Sequence, residues 1–247
     1  MDEQPTHLDL FSGIGGFAIA AQEAGFETVA FCEIEERCAK FLETEWGLPV
    51  ERDIRKLDGR KYRGISLLTG GPPCQPASRA GKQGGESDDR WLWPEALRVL
   101  NEAKPDCVVF ENPPGILDVG LDGILSEMGR SGYEVQCFDI PACAVDSPQL
   151  RHRIWIVGFL ADSERERRQW RSAEPRETEG RQSLCSVAGL HWQNSIWVPC
   201  ADGKLRRAPD DSFELVDGVH RSLLAALGNS ICPEVATEIL KSVRQFC

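Results

Sequence analysis

A cysteine held between prolines is the residue of this 247-residue chain best suited to covalent chemistry. Cys74 lies in segment 70–76 (GGPPCQP), directly after an apolar run that is typical of a strand. The prolines fix the backbone and prevent a helix from starting at once. The carboxyl end of a strand is also where open α/β sheets place their chemistry. Because such a loop is poorly suited to core packing, we interpret Cys74 as a nucleophile.

A glycine-rich turn near the N-terminus predicts a nucleoside site. The apolar run 7–11 leads into Ser12-Gly13-Ile14-Gly15-Gly16, and a helical pattern follows. Glycines there let the backbone approach a ligand, and the carboxylate of Glu33, near the end of the next strand, could bind ribose hydroxyls. The spacing is neither a dinucleotide fingerprint nor a phosphate loop, which favours a nucleoside without a pyrophosphate. A tight turn without a ligand is the alternative.

Two further polar clusters lie at strand ends. Glu111 follows the apolar run 107–110 and could act as a general acid or hold the polar edge of a ring, unless it only caps a turn. In the next cluster, side chains of an extended segment alternate between its two faces, which puts Gln149, Arg151 and Arg153 on the same face. Paired guanidinium groups suit a phosphate or a base carbonyl, and a solvated strand edge is the alternative.

The elements that carry these residues alternate between strand and helix. Apolar runs predict strands over 7–11, 28–32, 65–69, 107–111, 133–140 and 153–160, and helical patterns over 17–24, 35–46, 91–103 and 121–130. Continuous apolar strands are typical of a mostly parallel sheet that helices cover on both faces. The sequence therefore predicts a doubly wound α/β domain over residues 1–160.

Beyond residue 160 the pattern changes. Residues 161–220 lose their periodicity, and only Trp192, Ile196, Trp197, Val198 and Leu205 supply the apolar surface for a small hairpin-like unit. In the segment 221–247, apolar residues at helical spacing after Pro233 predict an amphipathic helix that returns to the main sheet.

Composition limits the class of protein. A net charge of −11 argues against a protein that holds nucleic acid by bulk attraction alone. No apolar run reaches the length of a membrane span, and the N-terminus has no signal-peptide pattern, so we expect a soluble cytoplasmic protein that contacts no membrane. The ten cysteines form no Cys-x-x-Cys pair. We therefore expect reduced core thiols such as Cys107, with no disulfide and no metal site.

In their order along the chain, these motifs resemble the DNA (cytosine-5)-methyltransferases. The matching segments are 9–16 (DLFSGIGG), 72–75 (PPCQ), 111–112 (EN), 149–153 (QLRHR) and 228–230 (GNS). The resemblance implies a Rossmann-like fold for AdoMet-dependent methyl transfer, with residues 161–220 as a small, irregular, partly β target-recognition insert. It also implies S-adenosyl-L-methionine (AdoMet) as cofactor and S-adenosyl-L-homocysteine as product.

The resemblance assigns cofactor contacts residue by residue. Phe11 would face the adenine, Glu33 the ribose hydroxyls, and Asp53 with Ile54 the adenine edge. The complete implied set is Asp9, Phe11, Ser12, Gly13, Gly15, Gly16, Glu33, Ile34, Asp53, Ile54, Pro73, Asn229 and Ser230.

The resemblance also implies a mechanism on a cytosine flipped out of duplex DNA. The Cys74 thiolate would add to C6, which lets C5 take the methyl group. Glu111 would contact N3 and the exocyclic amine, Arg153 the O2 atom, and Arg151 the loop or backbone. The expected substrate contacts are Gln75, Ser78, Gln149, Lys204, Arg206 and Arg207.

Two features of the chain depart from the family pattern, and several alternative functions remain. Asn112-Pro113-Pro114 replaces the usual apolar continuation of the acid motif, and the insert is short, which predicts a short or relaxed recognition sequence. We expect a monomer, with a cognate restriction endonuclease as a possible partner. The alternatives are the same chemistry on tRNA-like RNA, a catalytically silent nucleic-acid-binding relative, and an NAD-binding oxidoreductase that the glycine spacing disfavours.

Overall fold

Strands and helices alternate along the computed structural model, which describes residues 4–73, 91–145, 147, 149–161 and 230–247, and the backbone alone for 195–199 and 205–209. The strands are β1 (Thr6–Leu10), β2 (Glu27–Cys32), β3 (Val50–Glu51), β4 (Leu67–Gly70), β5 (Cys107–Asn112), β6 (Tyr133–Pro141), β7 (His152–Leu160), β8 (Ser195–Pro199) and β9 (Leu205–Pro209). The helices are α1 (Gly16–Glu23), α2 (Glu36–Trp46), α3 (Trp93–Ala103), α4 (Ile116–Val119), α5 (Leu121–Arg130) and α6 (Pro233–Val243).

Seven of the strands form one sheet in the order β3-β2-β1-β4-β5-β7-β6. The first five are parallel, whereas β7 runs antiparallel to both of its neighbours. This confirms the predicted doubly wound α/β fold. The short connection between β6 and β7 holds no crossover helix, which is why these two strands pair antiparallel. As a result, the start of β7 lies at the edge of the sheet where β1, β2, β4 and β5 end.

Two apolar layers cover the two faces of the sheet. One contains Trp93, Val99 and Leu100 of α3 with Ile124 and Met128 of α5. The other contains side chains of α1 and α6. Every residue of β5 is buried, which explains its continuous apolar run. The helix predicted near the C-terminus is confirmed as α6, and it packs against α1.

The expectation of no disulfide is wrong at one position. Cys107, at the start of β5, is paired with Cys247, which lies just beyond α6, and their Cα atoms are 6.7 Å apart. Because 140 residues separate the two cysteines, spacing along the chain gave no sign of the pair. The return of α6 to the face that holds Cys107 brings the two sulfur atoms together.

The predicted hairpin-like unit is also present as backbone. β8 and β9 pair antiparallel, with Trp197 opposite Arg207 and Val198 opposite Arg206. Trp192 and the polar stretch 162–181 lie outside the described residues, and the proposed division at residues 160 and 220 stays a prediction. Within the described part of the chain, no helix is long and apolar enough to cross a membrane.

A line of buried polar side chains crosses the centre of the sheet. His7 on β1 is fully buried, and its ring nitrogens lie 2.9 Å from the Thr28 hydroxyl and 2.7 Å from the Thr69 hydroxyl. The Thr69 hydroxyl in turn donates to a carboxylate oxygen of Asp9 at 2.8 Å. Burial lowers the pKa of His7 to about 3. The folded protein therefore holds this ring neutral at pH values where an exposed histidine is charged.

This burial predicts acid sensitivity that depends on His7. As the pH falls below about 6.5, the unfolded chain takes up a proton on His7 that the folded chain refuses, so stability is lost at a rate approaching about 1.4 kcal/mol per pH unit. In His7→Gln that contribution disappears, and urea unfolding between pH 6.5 and 4 should show a shallower decline than in wild type. Equal slopes for His7→Gln and wild type would contradict the argument.

Candidate active site

The predicted site residues gather along one edge of the sheet. The parallel strands β1, β2, β4 and β5 end there, and they deliver Phe11, Glu33, Gly71 and Glu111 respectively. Because β7 is antiparallel, its first residues reach the same edge and place Arg153 beside Glu111. Motifs up to 142 residues apart in sequence therefore converge for a topological reason.

The turn after β1 has the open backbone that a ligand site needs. Phe11 has a φ of +54° and Gly13 one of +55°, so the chain turns sharply between the strand and α1. The Ser12 hydroxyl donates to the Asp9 carbonyl oxygen at 2.8 Å and fixes the turn. Gly15 combines a φ of +84° with a tight fit, since a Cβ there would lie 3.0 Å from a methyl carbon of Leu42.

Glu33 is held rigidly at the end of β2. One of its carboxylate oxygens accepts from the Gly13 amide and the other from the Glu35 amide, both at 2.7 Å. Burial raises the pKa of Glu33, and these two amide contacts oppose the rise. A carboxylate has about four acceptor sites, and because the Ile34 amide also bonds to this group, about one site is left for a ligand hydroxyl.

Asp9 is the most deeply buried acid of the site. Burial raises its pKa to about 8, and only the Thr69 hydroxyl and Ser12 counter this effect by hydrogen bonding. Its Oδ2 atom is buried and has no hydrogen-bond partner. Asp9 is therefore enclosed by the protein, and among the acids beside the glycine turn it is Glu33 whose acceptor capacity suits the hydroxyl donors of a ligand such as AdoMet.

The loop after β3 presents the proposed adenine-edge residues. Ile54 is buried, whereas Asp53 is partly exposed and accepts from the Arg55 amide at 3.0 Å. The loop is bound to α3 by Arg98, a residue that the sequence reasoning missed. The available signal was a pair of acids, Glu95 and Glu102, at helical spacing on either side of it.

Glu111 and Arg153 form a buried ion pair. Nε of Arg153 lies 2.6 Å from a carboxylate oxygen of Glu111, and the two side chains are only 18% and 9% exposed. Burial raises the pKa of Glu111, while the charges of Arg153 and Arg151 act against the rise. The two prolines after Asn112 leave this pairing intact.

The C-terminal segment closes the site from the other side. The guanidinium group of Arg151 donates to the Ser230 carbonyl oxygen at 2.7 Å. A Cβ on Gly16 would lie 2.8 Å from Cγ1 of Ile231 and 3.2 Å from the Ser230 hydroxyl. Gly16 is thus required for close approach of this segment to α1. Arg151 anchors the same segment beside the glycine turn.

The remaining predicted residues are exposed, lie at the end of a described segment, are described as backbone alone, or fall outside the described part of the chain. Pro73 ends the described segment after β4, Ile34 and Gln149 are exposed, and only the backbone of Arg206 and Arg207 is described. The predicted residues outside the described segments are Cys74, Gln75, Ser78, Lys204 and Asn229.

The sheet order, with its antiparallel β7, and the loops at its carboxyl edge define a Rossmann-like methyltransferase fold. A model of the C-5 cytosine-specific DNA methylase family matches residues 6–195. The chain belongs to that family.

Individual relatives agree with this assignment. The Type II methyltransferase M.NgoMIV of Neisseria gonorrhoeae is 38% identical over 163 residues, which are 63% of this chain and 52% of that protein. The Type II methyltransferase M.AquIA of Picosynechococcus sp. is 36% identical over 174 residues, 61% of this chain and 70% of that protein. Against the first three curated relatives, the chain spans 52%, 46% and 36% of their length.

Solved structures show the same fold. A prophage-encoded Escherichia coli protein is 27% identical with a TM-score of 0.54, over 63% of this chain and 47% of that one. The S. pombe Dnmt2 methyltransferase has a TM-score of 0.53 at 21% identity, over 71% of this chain and 58% of that one. At that identity the likeness bears on the fold alone.

The buried ion pair gives a prediction with a definite pH dependence. Arg153→Ala leaves the Glu111 carboxylate buried without its partner, which costs about 3 kcal/mol of unfolding free energy while the group is charged. The variant also raises the pKa of Glu111 further, so the loss should be larger at pH 8 than at pH 5, where protonation removes the unpaired charge. Urea unfolding of both proteins at the two pH values measures this difference.

A double variant controls for the role of the charge. In the Glu111→Gln background, Arg153→Ala should cost the same at pH 5 and pH 8, because no carboxylate is left to titrate. If Arg153→Ala alone shows equal losses at both pH values, the ion pair does not govern its effect.

Close packing at Gly16 predicts that Gly16→Ala lowers the stability of the protein, although helix propensity alone predicts a gain. Ala is the better helix former by about 1 kcal/mol, yet at this position its Cβ collides with Ile231, and overpacking typically costs about 1–3 kcal/mol. Gly16→Ala should therefore lower the melting temperature. Gly129 in α5 is the matched control, because a Cβ there meets no atom within 4 Å. Gly129→Ala should raise the melting temperature, and a rise for both variants would contradict the packing argument.

Proposed function

We propose that this protein transfers a methyl group from AdoMet to C5 of a cytosine flipped out of duplex DNA. The observation that carries the proposal is the buried Glu111–Arg153 pair at the strand edge beside Gly71. A Cβ on Gly71 would lie 3.6 Å from a carboxylate oxygen of Glu111, so the chain leading to Cys74 passes directly by this acid. Family membership supports the same reaction.

Glu111 is suited to hold the base and to supply a proton. Its raised pKa increases the fraction of protonated acid near neutral pH, and a protonated carboxyl can donate to N3 of cytosine. Donation to N3 stabilises the negative charge that reaches this atom when a nucleophile adds to C6. The neighbouring acceptor oxygen can take a hydrogen bond from the exocyclic amine.

The two arginines have different parts in this proposal. Arg153 orients Glu111 through the ion pair and keeps other N–H donors for O2 of the base. Arg151 binds the Ser230 carbonyl oxygen and so acts as a positioning residue for the C-terminal segment. We assign the nucleophile to Cys74, whose sulfur would bond to C6 and leave again when the C5 proton is lost.

In this proposal the cofactor pocket lies beside the glycine turn, where a Cβ on Gly13 would meet no atom within 4 Å. When bound, AdoMet supplies the methyl group. Glu33 offers it an acceptor oxygen, Phe11 an aromatic face, and Asp53 with Ile54 the polar and apolar contacts for adenine, while the buried Asp9 supports the glycine turn through Ser12. Asn229 and Ser230 complete the same pocket in this proposal.

Substrate and partners are inferred from the relatives. M.NgoMIV and M.AquIA are named Type II methyltransferases, so we propose duplex DNA as substrate and a cognate restriction endonuclease as a partner. Arg206 and Arg207 on β9, with Lys204 just before it, are proposed to contact DNA. The short region 161–220 would then read a short or relaxed site.

The nucleophile gives the most direct test. Purified wild type should transfer labelled methyl from AdoMet to duplex DNA, and Cys74→Ala should lower this transfer by roughly 1000-fold or more, because no thiolate can add to C6 and so activate C5. The exposed Cys143 is the control, and Cys143→Ala should keep wild-type activity. Bisulfite sequencing of the product then gives the site.

Total tRNA is assayed in parallel. Label found only in tRNA would overturn the DNA proposal in favour of the RNA reaction. Transfer to DNA that survives in Cys74→Ala would overturn the covalent mechanism. Label in neither substrate would favour a silent binding relative.

A further inference from the structure

Arg98 joins the helix after the proposed catalytic segment to the loop that would bind adenine. From α3, its Nη2 atom donates to the Ile54 carbonyl oxygen at 2.6 Å and its Nη1 atom to the Leu57 carbonyl oxygen at 2.9 Å. These two acceptors lie 44 and 41 residues upstream in the chain. The contacts are therefore tertiary and not part of the helix itself.

The guanidinium group is held in one orientation by two acids of its own helix. Glu95 accepts from Nε at 2.8 Å, and Glu102 accepts from Nη1 at 2.9 Å. The guanidinium group thus makes four contacts through all three of its nitrogens, which suits the fork of arginine and not the single point charge of lysine. The side chain is one-third exposed, so its partners and not burial alone define its position.

Hydrogen bonds and apolar packing both hold the loop that Arg98 binds. It makes one turn, in which the amides of Lys56 and Leu57 bond to the Asp53 carbonyl oxygen, and a short 3-10 helix over Gly59–Tyr62 follows directly. Glu102 also accepts from the Gly59 amide at 2.9 Å, and a Cβ on Gly59 would lie 2.9 Å from that of Glu102. Three hydrogen bonds consequently attach the loop to α3, at Ile54, Leu57 and Gly59, and two of them go through Arg98. The Ile54 and Leu57 side chains also pack in the apolar layer that contains α3, so Arg98 fixes the backbone of a loop whose side chains are already anchored.

We propose that Arg98 is a positioning residue for the cofactor, one that holds Asp53 and Ile54 where they recognise the adenine edge. The proposal rests on the proposed function, because it assumes that this loop binds AdoMet. It predicts that loss of Arg98 weakens cofactor binding and, in particular, discrimination at the adenine amino group. The methyl-transfer step at saturating AdoMet does not involve this loop directly.

The test uses two ligands that differ only at the adenine edge. Dissociation constants of S-adenosylhomocysteine and of S-inosylhomocysteine, in which an oxo group replaces the 6-amino group, are measured by calorimetry for wild type, Arg98→Gln and Arg98→Lys. We expect Arg98→Gln to bind S-adenosylhomocysteine about tenfold more weakly, equivalent to the loss of about 1.4 kcal/mol. The preference for adenine over hypoxanthine should fall several-fold, and Arg98→Lys should lie between Gln and wild type.

Controls separate positioning from plain stability. Arg130→Gln removes an exposed arginine near Glu127 on α5 and should leave both dissociation constants unchanged. In the transfer assay, Arg98→Gln should raise KM for AdoMet and keep kcat within about twofold of wild type. All binding is measured well below the melting temperature of each variant.

The outcomes are distinct. A lower melting temperature for Arg98→Gln with unchanged affinity and unchanged adenine preference would overturn the proposal and leave Arg98 a structural residue. Failure of wild type to bind S-adenosylhomocysteine would overturn the proposed function and this inference with it. If wild type binds S-adenosylhomocysteine and methylates DNA, but Arg98→Gln keeps the wild-type preference for adenine, this inference alone is overturned.

Discussion

Burial of three carboxyl groups along one edge of the sheet is the constraint that shapes this protein. Asp9, Glu33 and Glu111 are almost completely buried, and burial raises the pKa of each. A buried charge is tolerated only where donors surround it. The fold therefore supplies a different donor to each acid: a threonine hydroxyl, two backbone amides and a guanidinium group. Much of the conformation at this edge is what brings those donors into place.

The donors come from distant parts of the chain, which explains why the last helix matters for the site. Arg153 reaches Glu111 because β7 runs antiparallel to β5. Arg151, two residues earlier, binds the segment before α6, and Gly16 leaves room for that segment against α1. Arg153 of β7 thus binds the acid, and Arg151, one residue before β7, binds the C-terminal segment. A parallel β7 would place both arginines at the opposite edge of the sheet.

The sequence predicted the parts of the site that depend on local pattern. Strand ends, the glycine turn, Glu33 and Glu111 follow from short-range spacing, and the bounds of most elements agree within a few residues. Arg98, the His7 line and the Cys107–Cys247 pair depend instead on which elements become neighbours. An arginine beside two acids is equally typical of a solvated helix face, and its carbonyl partners are visible only in three dimensions. The antiparallel direction of β7 was likewise not apparent from its apolar run.

The two glycines at the end of β4 set how closely the two proposed pockets can approach each other. A Cβ on Gly70 would lie 3.0 Å from the Leu10 carbonyl oxygen and 3.5 Å from the Phe11 ring, on the cofactor side. Gly71, the next residue, faces Glu111 on the base side. Direct transfer requires the reacting atoms to come within about 3–3.5 Å of each other. A chain segment between a methyl donor and a base must therefore be thin. At Gly70 even a Cβ would press on the Leu10 carbonyl oxygen, and at Gly71 it would already fill the space up to Glu111.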